Sequence, residues 1–273
     1  MQRSARPTAL DRFFAVYARL FARPAFEGFN KLLLQTGLRG LGIMNWGSEY
    51  LSGERLAALR VIQQLDLDKE GSILVDVGAN EGAFSQAILD VTKQLDVIAI
   101  EPIPETFARL SHRFRAIERV TVMNSAVGSR AASLTLYDHA GENGTEHATA
   151  FPSSEIAEGA ARTVIVPVQP LDDLLADRRR NVCFLKIDVE GFEYEVLRGA
   201  TGLLSEDSLR AVLLEFNAMN VDARVFAKDF REILASFQPN RILPGGRLLS
   251  LRAYGGWKEE LFAYQNLLFT RSD

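Results

Sequence analysis

The chain has 273 residues, of which 47% are apolar and 24% charged, which is enough for one sizeable α/β core with an extension. Against 35 acidic side chains stand 31 basic ones, a formal charge of −4 that excludes the positive excess a general nucleic-acid binder needs. No stretch reaches the roughly 20 apolar residues of a membrane-spanning helix, and the single Cys183 cannot form an internal disulfide, so a reducing, cytoplasmic setting is expected.

Residues 1–70 read as a helical extension. Leu10, Phe13, Phe14, Tyr17, Leu20 and Phe21 recur at three- and four-residue steps and share one helical face. Asp11, Arg12 and Arg19 interrupt the apolar run, so this segment is read as retained rather than as a cleaved signal. Pro24 should end the helix. A second apolar segment, Phe29 to Leu38, leads into the glycines at 37, 40 and 42, which punctuate a loop, and Ser52-Gly53-Glu54 opens a further helix. Residues 1–40 carry seven basic and two acidic side chains. That local excess suits peripheral contact with a membrane surface or another anionic partner, while a helical cap with a solvated basic face is the plainer reading.

From residue 71 the texture changes. Ile73 to Val77, Val97 to Ile100, Val120 to Met123, Phe184 to Ile187 and Val212 to Phe216 are short apolar runs rich in β-branched residues. Strands buried on both faces of a parallel sheet have this composition. Helical patterns at 83–93, 104–116, 192–199 and 224–237 lie between most of them, which predicts a doubly wound, mostly parallel sheet over residues 71–273. Alternating segments at Ser133 to Tyr137 and Thr163 to Val168 predict a β excursion around a polar loop, 138–160. Arg241-Ile242, Arg247 to Leu251 and Asn266 to Thr270 predict closing antiparallel strands.

The strongest local signal is Asp76-Val77-Gly78-Ala79-Asn80-Glu81-Gly82, where a buried strand enters a turn and a helix follows. Gly78 and Gly82 remove Cβ atoms where the turn must tighten and a ligand approaches. Asn80 stands where a dinucleotide turn needs its second glycine, and Gly82 comes one residue early, so a pyrophosphate is disfavoured. A cationic sulfonium ligand has no pyrophosphate and gains from nearby carboxylates instead. Glu101, followed by Pro102, ends the second strand and is placed to accept hydrogen bonds from both ribose hydroxyls. Asp76 either takes the turn amides or reaches the ligand's ammonium. Asn124 and Ser125, at the end of the third strand, either line an adenine pocket or form a simple turn.

A second charged motif, Lys186-Ile187-Asp188-Val189-Glu190-Gly191, follows a buried strand, and period-two geometry sets Lys186, Asp188 and Glu190 on one side of the chain. Paired carboxylates beside a lysine at a strand's C-terminal end mark a ligand crevice, or a structural ion pair covering that end. Together with Asp76–Gly82, Glu101-Pro102, Leu171-Asp172-Asp173-Leu174 and Glu195 to Ala200, this motif resembles the FkbM-type methyltransferases, a branch of the class I, Rossmann-like enzymes dependent on S-adenosyl-L-methionine. The resemblance spans about residues 72–217. It implies methylation of a hydroxyl on a sugar, glycan or small natural product. Carried over by position, it implies cofactor contacts from Gly78, Asn80, Gly82 and Glu101, with the neighbouring Asp76, Ala79 and Pro102 in the same site. Asp188, with Glu190 or Lys186, would face the transferring methyl and the acceptor.

The acceptor must lose a proton as the new bond forms, so a base is required within reach. Asp188 is the first candidate, Glu190 the second, and His147 in the polar loop the third. Asp188 and Glu190 also suit Mg²⁺, but the motif offers no third acidic ligand, so no metal is expected. Three rivals stand: an NAD(P)-dependent oxidoreductase on a related fold, an inactive cofactor-binding scaffold, and a nucleic-acid methyltransferase. The first lacks its glycine turn and a Tyr-x-x-x-Lys pair, and the last lacks both a positive surplus and an Asn/Asp-Pro-Pro-aromatic tetrad.

Overall fold

The apolar runs that begin at residue 73 have no polar face to offer water, and they bury themselves by pairing in parallel. The structure is a computed structural model that describes residues 8–138, 148–150 and 162–271. Its main sheet takes β1 (Ile73–Val77), β2 (Asp96–Ile100), β3 (Val120–Met123), β8 (Val182–Ile187) and β9 (Ala211–Phe216) as parallel strands in the order β9-β8-β1-β2-β3. Chain order reverses beside β1, where β2 pairs on one side and β8 on the other. Ligands bind at such switch points in open α/β sheets.

Three further strands, β10 (Gln238–Leu243), β11 (Arg247–Ser250) and β12 (Gln265–Thr270), extend the sheet antiparallel beyond β9 in the order β9-β12-β10-β11. The predicted excursion forms a separate small sheet from β4 (Ala126–Val127), β5 (Ala132–Asp138), β6 (Ala148–Thr149) and β7 (Arg162–Gln169). Predicted and observed strands agree to within a residue or two, except that β10 begins three residues before the expected Arg241 and the two-residue strands β4 and β6 were not expected. Helices run shorter than their apolar patterns, as at Ala83–Leu89 and Ala227–Ile233, because their ends turn early into the sheet connections.

Alternation along the strands divides the core. One face carries Val75, Val77, Ile100, Leu185, Ile187 and Leu214 under the helices Glu193–Arg198 and Ala227–Ile233. The opposite face carries Leu74, Val97, Ala99, Phe184 and Leu213 under Glu54–Gln64, Ala83–Leu89 and Pro104–Phe114. Helix Pro104–Phe114 starts where the sequence favours it, with Pro104 preset in the first turn, Glu105 beside it, and Arg113 near the C-terminal end. Helix Glu54–Gln64 buries Ala57, Ala58, Val61 and Ile62 and so belongs to the sheet's packing. By contrast, helices Ala9–Phe21 and Glu27–Gly40 bury no residue. The second of them runs through Gly37 and Gly40, and only Gly42, at φ +84°, falls in the turn expected for all three glycines.

Cys183 packs in this core with its Sγ 3.4 Å from the Ile73 carbonyl, and burial pushes the thiol up to about 12. Phe184 is fully buried at the centre of the second face. Phe184→Ala should cost about 3–5 kcal/mol of unfolding free energy, the usual consequence of emptying an aromatic site in a close-packed core. Chemical denaturation checks this, and a midpoint within error of the parent would show that the second face is not packed around this ring.

Candidate functional site

The C-terminal ends of β1, β2, β8 and β9 open on a cavity of about 360 Å³, within the range of small-ligand sites. Its floor and polar wall include Gly78, Asn80, Glu101, Asp188, Glu190 and Glu215. Ile103, Val127, Leu134 and Leu136 make an apolar wall to which β5 of the small sheet contributes. Trp46 and Tyr264 stand at the rim, ring to ring at 6.1 Å.

The turn after β1 is shaped by two glycines with different neighbours. Gly78, at φ +79°, lies against the loop after β8, where a Cβ would meet the Asp188 carbonyl oxygen at 1.8 Å. Gly82, at φ +77°, faces away from the cavity, and a Cβ there would strike the Phe114 and Leu110 side chains at 2.4 and 2.7 Å. The second glycine therefore lets the following helix pack and clears no space for a ligand, unlike its expected role. The amides of Gly78 and Ala79 both donate to the Ile100 carbonyl at 3.0 Å. They do not reach Asp76, so the expectation that Asp76 takes the turn amides fails: the turn curls toward β2 instead.

Asp76 is fully buried and accepts a hydrogen bond from Ser85 Oγ at 2.6 Å. Its other oxygen faces Lys186 Nζ at 3.5 Å, since the parallel register sets these residues side by side on β1 and β8. Lys186 also meets Asp188 Oδ2 at 3.1 Å and Glu54 Oε1 at 3.8 Å, and its ammonium lies 5.2 Å from the centre of the Phe84 ring. Burial would push the ammonium's pKa down, but Asp188, Asp76 and Glu54 outweigh it and hold Lys186 above the ordinary lysine range. The predicted alternation of Lys186, Asp188 and Glu190 on one side breaks, because β8 stops at Ile187 and Glu190 turns into the left-handed region at φ +50°. Asp188 and Glu190 line the cavity, while Lys186 lies behind it.

Glu101 is nearly buried at the cavity wall, with Oε2 accepting from the Asn80 amide at 3.0 Å and Oε1 from the Ile103 amide at 2.9 Å. Burial pushes its carboxyl up to about 7, against the pull of those amides. Pro102 and Ser125 line the cavity. Asn124 does not: its amide donates to the carbonyls of Glu101 and Pro102 at 2.9 and 3.0 Å and straps that turn in place. Ala79 and Asp76 likewise sit behind the lining residues. His147 lies outside the described residues.

Several residues that the sequence did not single out complete the site. Glu54 reaches Lys186 from the first turn of its helix, and burial pushes it up to about 7 even though Lys186 pulls it down. Glu215, in the last turn of an apolar strand, lines the cavity, and burial with Asp188 and Glu190 nearby raises it well above the carboxylate range. Asn217 donates to Glu215 and, at 3.3 Å, to Glu190, so one amide joins two carboxylates. Glu193 accepts the amides of Val189 and Gly191 at 3.2 and 3.0 Å and closes the loop that carries Asp188 and Glu190. A lone acid in an apolar strand was the one available signal, and it was read for Asp76 but not for Glu215. Glu215 is also the third carboxylate that the motif lacks, yet among the described residues no three His, Cys, Asp or Glu side chains are grouped to hold a metal ion.

Residues 76–240 match the family model described as the Methyltransferase FkbM domain. The chain belongs to this family. It is similar to Methyltransferase 1 of Beauveria bassiana, 31% identical over 48% of this chain and 59% of that one. The chain thus spans less than two thirds of that relative's length. It is 28% identical to the hexuronic acid methyltransferase AglP of Haloferax volcanii, over 72% of this chain and 76% of that one. It is 20% identical to the 2-O-methyltransferase NoeI of Sinorhizobium fredii, over 72% and 87% respectively.

Removing the Lys186 ammonium would leave Asp76 buried with Ser85 as its hydrogen-bond partner. Lys186→Met should therefore cost about 3–5 kcal/mol, as breaking one side of a buried pair does, and adding Asp76→Asn should recover part of the loss. Urea unfolding of the two variants measures both effects. If Lys186→Met unfolds like the parent, these charges do not depend on one another.

Proposed function

We propose that this FkbM-family chain is an S-adenosylmethionine-dependent methyltransferase that O-methylates a hydroxyl on a sugar, glycan or small natural product. The observation that carries the reading is the charge of the cavity. Glu101, Asp188, Glu190 and Glu215 all line it, while Lys186 lies behind the lining and is shared among Glu54, Asp76 and Asp188. Such a wall attracts a ligand bearing a sulfonium and an ammonium. It repels a pyrophosphate, which speaks against a nicotinamide dinucleotide. The names of two relatives, a hexuronic acid methyltransferase and a 2-O-methyltransferase, support a sugar hydroxyl as the acceptor.

The donor set suits the cofactor at both ends. Two backbone amides fix the Glu101 carboxylate, and its remaining lone pairs are available for ribose hydroxyls. Ile103, Val127, Leu134 and Leu136, with Ser125 among them, offer an apolar slot for the adenine. Asp188, Glu190 and Glu215 face the opposite end. When bound, S-adenosylmethionine supplies an electrophilic methyl group. The chain's part is to hold the acceptor oxygen in line with it and to take up the hydroxyl proton as that oxygen attacks. Asp188 is assigned that proton, with Glu190 and Glu215 as neighbours that Asn217 holds in place. Lys186 acts as a positioning residue, since its 3.1 Å contact fixes the Asp188 carboxylate.

Isothermal titration with S-adenosylmethionine and NADH, followed by labelled-methyl transfer to a panel of glycans and metabolites, tests the reading. Glu101→Ala should weaken cofactor binding about tenfold or more, the loss expected when a pair of charge-assisted hydrogen bonds goes. Asp188→Asn should retain cofactor binding and lose about 10²–10⁴-fold in turnover, the usual contribution of a general base. Preferential NADH binding would defeat the proposal, and undiminished turnover in Asp188→Asn would remove that residue from the proton's path.

Titration supplies a separate check. Glu101 and Glu193 both sit at about 7 in the folded chain against an ordinary 4.5. The folded state thus holds more protons than the unfolded state between those values, so stability falls as pH rises through that window. Cofactor affinity should move the other way and rise through pH 7, because an ionised Glu101 accepts hydrogen bonds that its protonated form cannot. Thermal midpoints and calorimetric affinities across this range report the two trends, and a parallel rise of both would contradict the assignment.

A further inference from the structure

Helices Ala9–Phe21 and Glu27–Gly40 form a hairpin tied only near its bend. The Phe21 ring meets Phe26 and Phe29 at 5.1 and 5.7 Å, Asn30 donates to the Phe21 carbonyl at 2.9 Å, and the Tyr17 hydroxyl donates to Asn30. Beyond that knot the apolar side chains find no cover among the described residues. Phe13 is 59% exposed and Phe14 56%, while Leu10, Leu20, Leu32 and Leu34 are each at least half exposed. At 3.6 residues per turn, Leu10, Phe13, Phe14, Tyr17 and Leu20 fall on one arc of the first helix, and Arg12 and Arg19 fall on the opposite side.

We propose that this hairpin lies on an anionic lipid surface, with its aromatic arc in the interface and its arginines on the polar side, within electrostatic reach of the headgroups. Helices of this kind, with an apolar arc and a basic flank and too short to span, bind in the plane of a bilayer. No described helix is long and apolar enough to cross a membrane.

Charge decides between a lipid surface and a second copy of the chain. Within residues 8–40 five basic side chains stand against two acidic ones. Asp11 is occupied by the backbone amide and hydroxyl of Thr8, and Glu27 by Lys31. A two-fold partner would bring the same cations and no free carboxylate from its own hairpin, whereas anionic headgroups supply the missing charge. The segment after the second helix continues the pattern. Arg39 stacks over Trp46 at 5.9 Å, and Trp46 also lines the cavity rim, so an apolar face and a site mouth are joined by a few residues.

Flotation with vesicles tests the proposal directly on the full chain. The parent should float with phosphatidylglycerol-containing vesicles at low salt, and about tenfold less with pure phosphatidylcholine or at high salt, as electrostatic adsorption requires. The double variant Phe13→Glu/Phe14→Glu should lose about tenfold or more in bound fraction. Its thermal midpoint should match the parent's, since neither ring is buried. Failure of the parent to float, or equal flotation by the variant, overturns the proposal. So does light scattering that shows a dimer of the parent, without vesicle binding, which the same variant converts to monomers.

Discussion

One buried ammonium organises the site end of this molecule. Lys186 lies at the point where the sheet reverses its chain order, and it is shared among Asp76 on β1, Asp188 after β8, and Glu54 from the helix above them. Ion pairs of this kind add little net stability, because desolvating the partners offsets most of their attraction. What they fix is arrangement. The register that sets Asp76 beside Lys186 also sets Gly78 under the Asp188 carbonyl, where no Cβ fits. A change in either strand end or in the helix start would leave a charge without its partner or a backbone in collision.

Beyond the three carboxylates that share that ammonium, the fold places Glu101, Glu190 and Glu215 on the cavity lining. Glu54, Glu101 and Glu193 are each pushed up to about 7 by burial, and burial with Asp188 and Glu190 nearby raises Glu215 well above the ordinary carboxylate range. Each of these shifts is free energy stored against ionisation in the free chain. Of these four groups, Glu101 and Glu215 line the cavity. The same surplus explains why the site sits at the ends of strands rather than between helices: strand-end backbone amides, such as those of Asn80 and Ile103 on Glu101, hold a carboxylate in place without neutralising it. Structural ion pairs alone would not need so many acids facing one opening.

Local patterns carried most of the architecture. The five parallel strands were legible because burial on both faces leaves an unbroken β-branched run, and the β excursion was legible because one-sided burial leaves alternation. The turn at 76–82 and the strand end at Glu101 were legible because their chemistry is contiguous in sequence. Asp188 and Glu190 were found for the same reason, but not the fate of Lys186, since the strand stops one residue too soon for simple alternation to hold. Glu54, Asn217 and Tyr264 were not legible at all. Each arrives through pairings distant in sequence, Glu54 by a helix packed on the far face of the sheet and Tyr264 by β12 pairing with β9. No periodicity within ten residues encodes that arrival.

The N-terminal helices show the same limit from the opposite side. Helix Ala9–Phe21 has the clearer division into apolar and basic faces, yet it buries nothing. Helix Glu54–Gln64 is mixed in character, with Arg55 and Arg60 among its apolar positions, yet it buries four residues against the sheet. An amphipathic pattern therefore states that a face requires cover and leaves open what supplies it. In Glu54–Gln64 the cover is β1, β8 and their neighbours, and the helix's first residue becomes part of the site. In Ala9–Phe21 the chain itself provides no such surface among the described residues, and the charge distributed around the arc selects for one that is negative. Both helices answer to the same hydrophobic requirement. Only the identity of the covering surface separates a core element from a docking element.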